Sequence, residues 1–266
     1  MLRAAHCGRH SPTVSCARMS NAFYAPGEQR AKKVHALFST IARRYDLIND
    51  VQSFGMHRRW KRRLVTLANV KPGDRALDVC CGTGDIAFAL AAAGAATTGL
   101  DFTERMLAVA EDRNRKAEGG NRRSDAGTPP TVRFVRGDAM KLPFADDSFD
   151  AVTVGYGFRN LASWEAGLEE MIRVARPGGR VVVLDFGKPD RALWRTVYFG
   201  YLRLCVPVFG LLFAGNLSAY AYILESLTHY PAQRGVEERM RRRRMSNVRV
   251  INLLGGAMSF NYGEKA

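Results

Sequence analysis

The stretch from Arg75 to Asp85 constrains the fold of this chain more than any other. Ala76 to Val79 form an apolar segment typical of a buried strand, and they lead directly into Gly82-Thr83-Gly84. The alanine-rich, apolar stretch from Ile86 to Ala93 then predicts a helix. Glycines at such a corner let the backbone turn sharply and leave space beside it for a ligand. The stretch therefore predicts the strand-turn-helix unit of a doubly wound α/β fold.

A carboxylate follows at the tip of the next predicted strand. That strand, Ala96 to Leu100, ends at Asp101, which lies 19 positions beyond Gly82. A carboxylate in this place accepts hydrogen bonds from both hydroxyls of a ribose. The chain lacks a complete G-x-G-x-x-G and a P-loop, and Asp78 and Asp85 beside the turn would repel a phosphate. An acidic glycine turn favours a cationic nucleoside, so we predict that it binds S-adenosyl-L-methionine. The alternative is an ordinary glycine-rich turn.

Two further strand tips should complete the same cleft. Val132 to Arg136 alternate like a strand and are followed by Asp138 and Ala139, a pair suited to hold an adenine amine and pack its ring. Ala151 to Val154 predict the next strand. Because the carboxyl ends of parallel strands share one edge of a sheet, the residues after this strand should also face the ligand. These residues are Gly155, Tyr156, Arg159 and Asn160.

The remaining elements predict one mostly parallel sheet with helices on its faces. Helices are expected over residues 103–117 and from Ala166 to Ala175, and a fifth strand from Val181 to Leu184. Val248 to Ile251 and Ala257 to Tyr262 alternate like the last two strands.

The chain is long enough for one α/β domain with additions. We expect a disordered leader over residues 1–30, with a transit peptide or a translation start at Met19 as alternatives. Residues 31–266 then form a single domain, in which residues 31–70 make an N-terminal helical cap. Residues 193–233 are mostly apolar but interrupted by charge, proline and glycine. This pattern favours a helical lid or a surface that dips into a bilayer over a membrane span, and core packing is the alternative.

The net charge of +15 is concentrated in two flanking segments. Residues 1–63 hold 13 Lys or Arg against 3 acids, and residues 234–249 hold 7 Arg against 2 acids. This pattern suggests an anionic partner, either lipid headgroups or nucleic acid, although solvated flanks are the alternative. An RNA-binding module is missing, so we expect no nucleic-acid partner. The five cysteines form no C-x-x-C pair, which argues against a metal site or a disulfide framework and favours a reducing compartment.

Motifs along the chain resemble those of the menaquinone/ubiquinone biosynthesis C-methyltransferases. The resemblance covers about residues 31 to 262. It rests on Tyr45 to Asp50, Ser53 to Lys61, Cys81 to Asp85, Phe158 to Asn160, Arg176 to Gly179, and Ala219-Tyr220 with Glu225-Ser226. The chain departs from the family pattern at Gly155, where many members have serine, and near Arg241 to Met245, where an Ala-Gly-Phe is missing.

The resemblance implies a class I, Rossmann-like methyltransferase that methylates a ring carbon of a polyprenylated quinol. Cys80-Cys81 favours demethylmenaquinol, and the benzoquinol of ubiquinone biosynthesis is the alternative. An RNA methyltransferase or nucleic-acid-binding protein is a further alternative, suggested by charge alone. The prenyl tail implies a cytoplasmic enzyme associated peripherally with an anionic membrane surface, with organelle import and a homo-oligomer left open. The expected cofactor contacts are Asp78, Gly82, Thr83, Gly84, Asp101, Phe102, Asp138, Ala139 and Gly155.

Catalysis of this kind needs help with deprotonation of a quinol hydroxyl. Arg159 is the first candidate, because a fixed cation would stabilise the developing phenolate. Asn160 and Tyr156 would orient the quinol oxygens. A structural ion pair is the alternative for Arg159. His57 and His229 are possible bases, although His57 is expected to be a surface histidine among arginines.

Overall fold

The computed structural model describes residues 55–119, 132–214 and 218–266, together with positions 36, 39, 40, 50 and 53. The predicted leader and about half of the predicted cap, residues 31–70, lie outside this part of the chain. For residues 118–119, 205–214 and 218–223 the backbone is described but the side chains are not.

The described residues form one sheet of seven strands. The strands are β1 Arg75–Val79, β2 Ala96–Asp101, β3 Arg133–Arg136, β4 Phe149–Gly155, β5 Ala175–Phe186, β6 Ser246–Leu253 and β7 Met258–Glu264. They are arranged in the order β3-β2-β1-β4-β5-β7-β6. The strands from β1 to β5 run parallel, whereas β7 pairs antiparallel with both β5 and β6. This arrangement confirms the predicted α/β fold.

Seven α-helices accompany the sheet in the described part of the chain. They are α1 Met56–Ala68, α2 Asp85–Ala92, α3 Glu104–Gly119, α4 Trp164–Val174, α5 Ala192–Ala214, α6 Ser218–His229 and α7 Ala232–Arg242. Two 3-10 turns, Phe158–Asn160 and Leu254–Gly256, follow β4 and β6. None of the described helices combines the length and the apolar character needed to cross a bilayer.

The central strands β1, β4 and β5 are largely buried on both faces, as expected for a parallel sheet that helices cover on both sides. On β5, Val181 and Val183 belong to one buried cluster, whereas Val182 and Leu184 belong to the other. The second cluster also contains Leu64 of α1. Helix α1 packs against β4, β5 and α2. Helix α1 is therefore fixed to the central strands.

The predicted elements are present, with boundaries that differ in places. β5 begins at Ala175, the residue at which the preceding helix was predicted to end and six positions before the predicted strand, because Ala175 pairs with Phe149 of β4. The apolar region after Pro189 is helical, and α5 and α6 pack together. Tyr198 and Leu202 of α5 join the core, so part of the predicted lid serves as core packing.

Candidate active site

A cleft opens where the carboxyl ends of β1 to β4 meet. It is lined on one side by Gly82, Asp101, Phe102, Asp138 and Ala139. Gly155, Tyr156 and Asn160 line the other side. The structure thus brings eight of the predicted site residues together, as expected for strand tips at one edge of a doubly wound sheet.

Asp101 is the most firmly held acid of the cleft. Its Oδ2 accepts a hydrogen bond from the Gly82 amide at 2.9 Å, and its Oδ1 accepts one from the Thr103 amide at 2.7 Å. Gly82 has a positive φ of 56°, and a Cβ built there would meet no protein atom within 4 Å. The carboxylate is therefore fixed in place beside an open stretch of backbone that a ligand can approach closely.

The chemistry of this lining fits S-adenosylmethionine. Asp101 supplies the carboxylate that a ribose needs, and the half-exposed ring of Phe102 offers an apolar surface next to it. Ala139 is small enough to leave room for a flat base, and Asp138 provides an acceptor nearby. The set joins acceptors for hydroxyls and amines with an apolar wall, as a nucleoside site requires.

Three predicted cofactor residues lie behind the cleft lining. Thr83 is buried, and a Cβ at Gly84 would come within 2.8 Å of the Phe88 ring and 3.0 Å of the Phe134 ring. Asp78 is buried beneath the loop, where Thr153 Oγ1 donates to its Oδ1 at 2.8 Å. Burial raises the pKa of Asp78 to about 7, and the Thr153 hydrogen bond opposes this rise. In the described structure these residues shape the loop from behind.

The sequence interpretation assumed that Asp85 presents its charge to the cleft. In the structure its carboxylate pairs with two cationic side chains instead. Lys61 of α1 donates to its Oδ2 at 2.6 Å, and Arg113 of α3 pairs with its Oδ1 at 2.7 Å. Arg113 also donates to the carbonyl of Thr83 at 2.9 Å. Burial would raise the pKa of Asp85, but Lys61 and Arg113 together hold it below its usual value. The glycine loop is thus tied to two helices through a neutralised acid.

Cys80 is a cleft residue that the sequence analysis did not identify. It adopts a left-handed backbone conformation with φ 55°, and it packs so tightly on Gly157 that a Cβ there would lie 2.4 Å from the Cys80 Cβ. Cys80 and its neighbour Cys81 are free thiols whose pKa values are raised by burial. The requirement for a glycine at position 157 opposite the Cys80 side chain becomes visible only in the folded structure.

Arg159 forms the ion pair that was the alternative to a direct catalytic contact. Its Nη1 lies 2.7 Å from Asp185 Oδ1, and its amide donates to Asp185 Oδ2 at 2.8 Å. The same Nη1 donates to the Tyr156 carbonyl at 2.6 Å, and the guanidinium lies 4.4 Å from the centre of the Phe186 ring. Tyr156 has a positive φ of 63°, which is unusual for a non-glycine residue. Arg159 therefore stabilises the turn that carries Tyr156 and Asn160.

His57 is not a surface residue, which corrects the expectation from its arginine-rich neighbourhood. It is buried on α1, with Ser53 Oγ 2.8 Å from its Nδ1 and Asp50 3.7 Å away. Burial and the nearby Lys61 lower its pKa, and Asp50 opposes that change. His57, Leu64 and Ala68 recur at helical spacing, so all three side chains lie on the buried face of α1. His229, the other candidate base, is exposed on α6.

Comparison with known proteins agrees with the geometry of the cleft. The family model described as the ubiE/COQ5 methyltransferase family matches residues 27–265. The chain is 37% identical over 246 residues to proteins named demethylmenaquinone methyltransferase from Staphylococcus aureus strains JH9 and Newman. Each alignment covers 91% of this chain and 97% of the relative.

Solved structures share the fold at low sequence identity. A magnesium protoporphyrin IX methyltransferase from Synechocystis, crystallised with bound S-adenosylhomocysteine, has a TM-score of 0.62 at 15% identity. That match covers 89% of this chain and all of the other. A methyltransferase from Aquifex aeolicus described as SAM-dependent has a TM-score of 0.52 at 18% identity, over 77% of this chain and 89% of the other.

Proposed function

The chain belongs to the ubiE/COQ5 methyltransferase family, and from that premise we propose that it methylates a ring carbon of a polyprenylated quinol, demethylmenaquinol. S-Adenosylmethionine is the methyl donor. The observation that carries the choice of substrate is the 37% identity, over nearly the whole length of both chains, to proteins named demethylmenaquinone methyltransferase. The benzoquinol of ubiquinone biosynthesis is the competing substrate.

The cofactor side of the cleft would hold the donor through Asp101, with Phe102 and Ala139 beside the base and Asp138 within reach of its amine. S-Adenosylmethionine supplies an electrophilic methyl group on a sulfonium. Gly82 lets the ligand approach the backbone, because no side chain occupies the space next to it. These contacts are part of the proposal.

The quinol would occupy the opposite side, beside Tyr156 and Asn160. The new carbon–carbon bond forms as the bond between sulfur and the methyl group breaks, and one proton leaves the quinol. Alignment of the ring carbon with the methyl group is therefore the main task of the protein. Asn160 and Tyr156 can orient the quinol oxygens, since both line the cleft.

Arg159 would act chiefly on this turn. Because its side chain is only 5% exposed and is paired with Asp185, we propose that it acts by holding the Tyr156 carbonyl, and so keeps Tyr156 and Asn160 in position beside the quinol.

The prenyl tail implies a peripheral encounter with a membrane surface. The substrate would remain in the bilayer while its ring enters the cleft, so the enzyme would bind the surface of the bilayer. An anionic surface suits the net positive charge of the chain.

The test is a methylation assay with purified protein and a donor whose methyl group carries deuterium. Chemically reduced demethylmenaquinol and the matching demethylated benzoquinol are offered separately, and products are identified by mass spectrometry. We expect the labelled methyl group on the naphthoquinol ring. Labelling of the benzoquinol alone would transfer the assignment to ubiquinone biosynthesis.

Asp101→Asn provides the control, because it keeps the shape of the side chain but removes its charge. Hydrogen bonds to a charged group contribute roughly 1.5–3 kcal/mol, so donor affinity should fall about 10- to 100-fold. The absence of methylated product from either quinol, with S-adenosylhomocysteine binding intact, would exclude the proposed reaction.

A further inference from the structure

One edge of the molecule exposes large apolar side chains that the core does not use. The edge, here called the apolar edge, consists of Leu193, Trp194, Val197, Tyr201, Leu204 and Leu254, which are between 40% and 81% exposed. Elsewhere in the described part of the chain, the large apolar residues with comparable exposure are Met56 and Phe102. Clustering on this scale marks an interaction surface more often than chance exposure does.

Helical spacing explains why these residues share a face. Leu193, Val197, Tyr201 and Leu204 on α5 are separated by four, four and three positions, which places them along one stripe. A different face of the helix carries the buried Tyr198 and Leu202, and the Tyr198 hydroxyl donates to the carbonyl of Ala257 at 3.2 Å. The helix is thus fixed to the core by one side, and the stripe faces outward.

The turn after β6 extends the stripe beyond the helix. Trp194 Nε1 donates to the carbonyl of Leu254 at 2.9 Å, which holds the two exposed side chains together. β6 runs parallel to β5, since both pair antiparallel with β7, so the Leu254 turn lies at the same edge of the sheet as the cleft. The apolar edge therefore belongs to the end of the molecule where the substrate enters.

The helix that carries most of the apolar edge has charges of one sign, and the nearby Asp190 is paired with Arg234. α5 contains no Asp or Glu, and Arg195 and Arg203 are exposed on it. Within the described residues, neither arginine has an acidic group within ion-pair distance. By composition, the run from Arg241 to Arg244 is also a candidate anion-binding segment. By contrast with α5, however, most of its positive charge is neutralised by neighbouring acids. Arg241 pairs with Glu237, Arg242 with Glu238 and Arg243 with Glu169.

We propose that the apolar edge is a docking surface for an anionic lipid bilayer, into whose headgroup region it inserts. Aliphatic side chains, a tryptophan and a tyrosine next to arginines are the composition of interfacial helices. A second copy of the chain fits less well, because a two-fold contact would bring the same cationic edges together. Binding of the bilayer does not itself depend on the proposed function. Only the purpose of that binding, which is to position the cleft over a substrate held in the membrane, rests on it.

The experiment measures binding to vesicles of mixed phosphatidylglycerol and phosphatidylcholine, without donor or quinol, by flotation. The double variant Val197→Asp/Leu204→Asp places two acids on the stripe. The matched control, Thr66→Asp/Thr228→Asp, adds the same charge at exposed threonines of other helices. Loss of two inserting side chains should weaken partitioning at least about tenfold in the stripe variant relative to the control. S-Adenosylhomocysteine binding should be equal in both, which shows that both are folded.

A second readout locates the contact. Vesicles with bromine-labelled acyl chains should quench the fluorescence of the wild-type protein, and Trp194→Phe should remove most of that quenching, because Trp60 and Trp164 pack against the core. Equal flotation of the stripe and control variants would overturn the proposal. The proposal would also be overturned if the wild-type protein were a dimer that binds no vesicles and the stripe variant were a monomer. Since no quinol is present, failure of the methylation assay would leave this result unaffected.

Discussion

The Arg159 guanidinium donates to the Tyr156 carbonyl across 2.6 Å, which joins a buried ion pair to a residue in a strained backbone conformation. Asp185, the other member of the pair, holds both the side chain and the amide of Arg159. The turn that borders the cleft is therefore held in place by a charge network beneath it.

This relationship predicts that Asp185→Asn and Arg159→Ala will have similar effects. Breaking a buried ion pair costs roughly 3–5 kcal/mol of unfolding free energy, which urea unfolding would measure. Turnover should fall in both variants because the Tyr156 turn loses its support, whereas S-adenosylhomocysteine affinity should change little. If Asp185→Asn retained turnover that Arg159→Ala abolished, a direct contact between Arg159 and the substrate would be indicated instead.

Lys61 should act on the cofactor through the glycine loop. Its bond to Asp85 is mostly shielded from water, so Lys61→Met should weaken S-adenosylhomocysteine binding by about 5- to 20-fold, as expected for a charge-assisted hydrogen bond. The catalytic constant at saturating donor should change little, and Lys61→Arg should restore part of the affinity. The control is Arg62→Met, an exposed neighbour on the same helix. Equal calorimetric affinities for Lys61→Met and Arg62→Met would contradict the coupling.

The buried carboxyl of Asp78 should make stability depend on pH. Its pKa is raised from 3.8 to about 7, so between these values the folded state binds more protons than the unfolded state. The free energy of unfolding should therefore fall as pH rises through this window and level off above it. The full shift corresponds to as much as about 4 kcal/mol.

Asp78→Asn should remove this part of the pH dependence. Its amide oxygen can still accept from Thr153, so the variant is close to isosteric. Urea unfolding of both proteins at several pH values between 4 and 8 makes the comparison. Parallel stability curves for the two proteins would show that Asp78 does not titrate in this range.

Gly155 should tolerate serine only if Ile86 gives way. A Cβ at position 155 would lie 2.4 Å from Ile86 Cδ1, so a serine fits here only if the Ile86 side chain moves. Overpacking of this kind costs typically 1–3 kcal/mol. We expect Gly155→Ser to lower thermal stability and Gly155→Ser/Ile86→Ala to be less destabilised than the sum of its single changes. Strictly additive effects in this double-mutant cycle would show that the two side chains do not compete for space.

The sequence predicted the strands and the cleft because both depend on local patterns. Apolar segments that end in Gly82, Asp101 or Gly155 identify strand tips, and parallel topology brings the tips to one edge. The pairing of β7 with β5 was not predicted in detail, although both final strands were recognised from their alternation.

Contacts between distant parts of the chain could not be read from the sequence. Lys61 and Arg113 neutralise Asp85 from two other helices, and no local sequence pattern indicates these contacts. His57 was judged by its charged neighbours in sequence, whereas the helix turns it toward the core. The tight packing of Cys80 on Gly157 likewise exists only once β1 and β4 lie side by side.

The position of β7 between β5 and β6 has a consequence for synthesis of the protein. A ribosome releases β6 before β7, yet β7 is the neighbour of β6 in the sheet that the described residues form. The backbone groups of β6 must therefore stay hydrated, or be shielded by a chaperone, until Met258–Glu264 has emerged. Assembly of this part of the sheet therefore waits for Met258–Glu264, and a ribosome stalled before that segment would expose β6 without its partner strand.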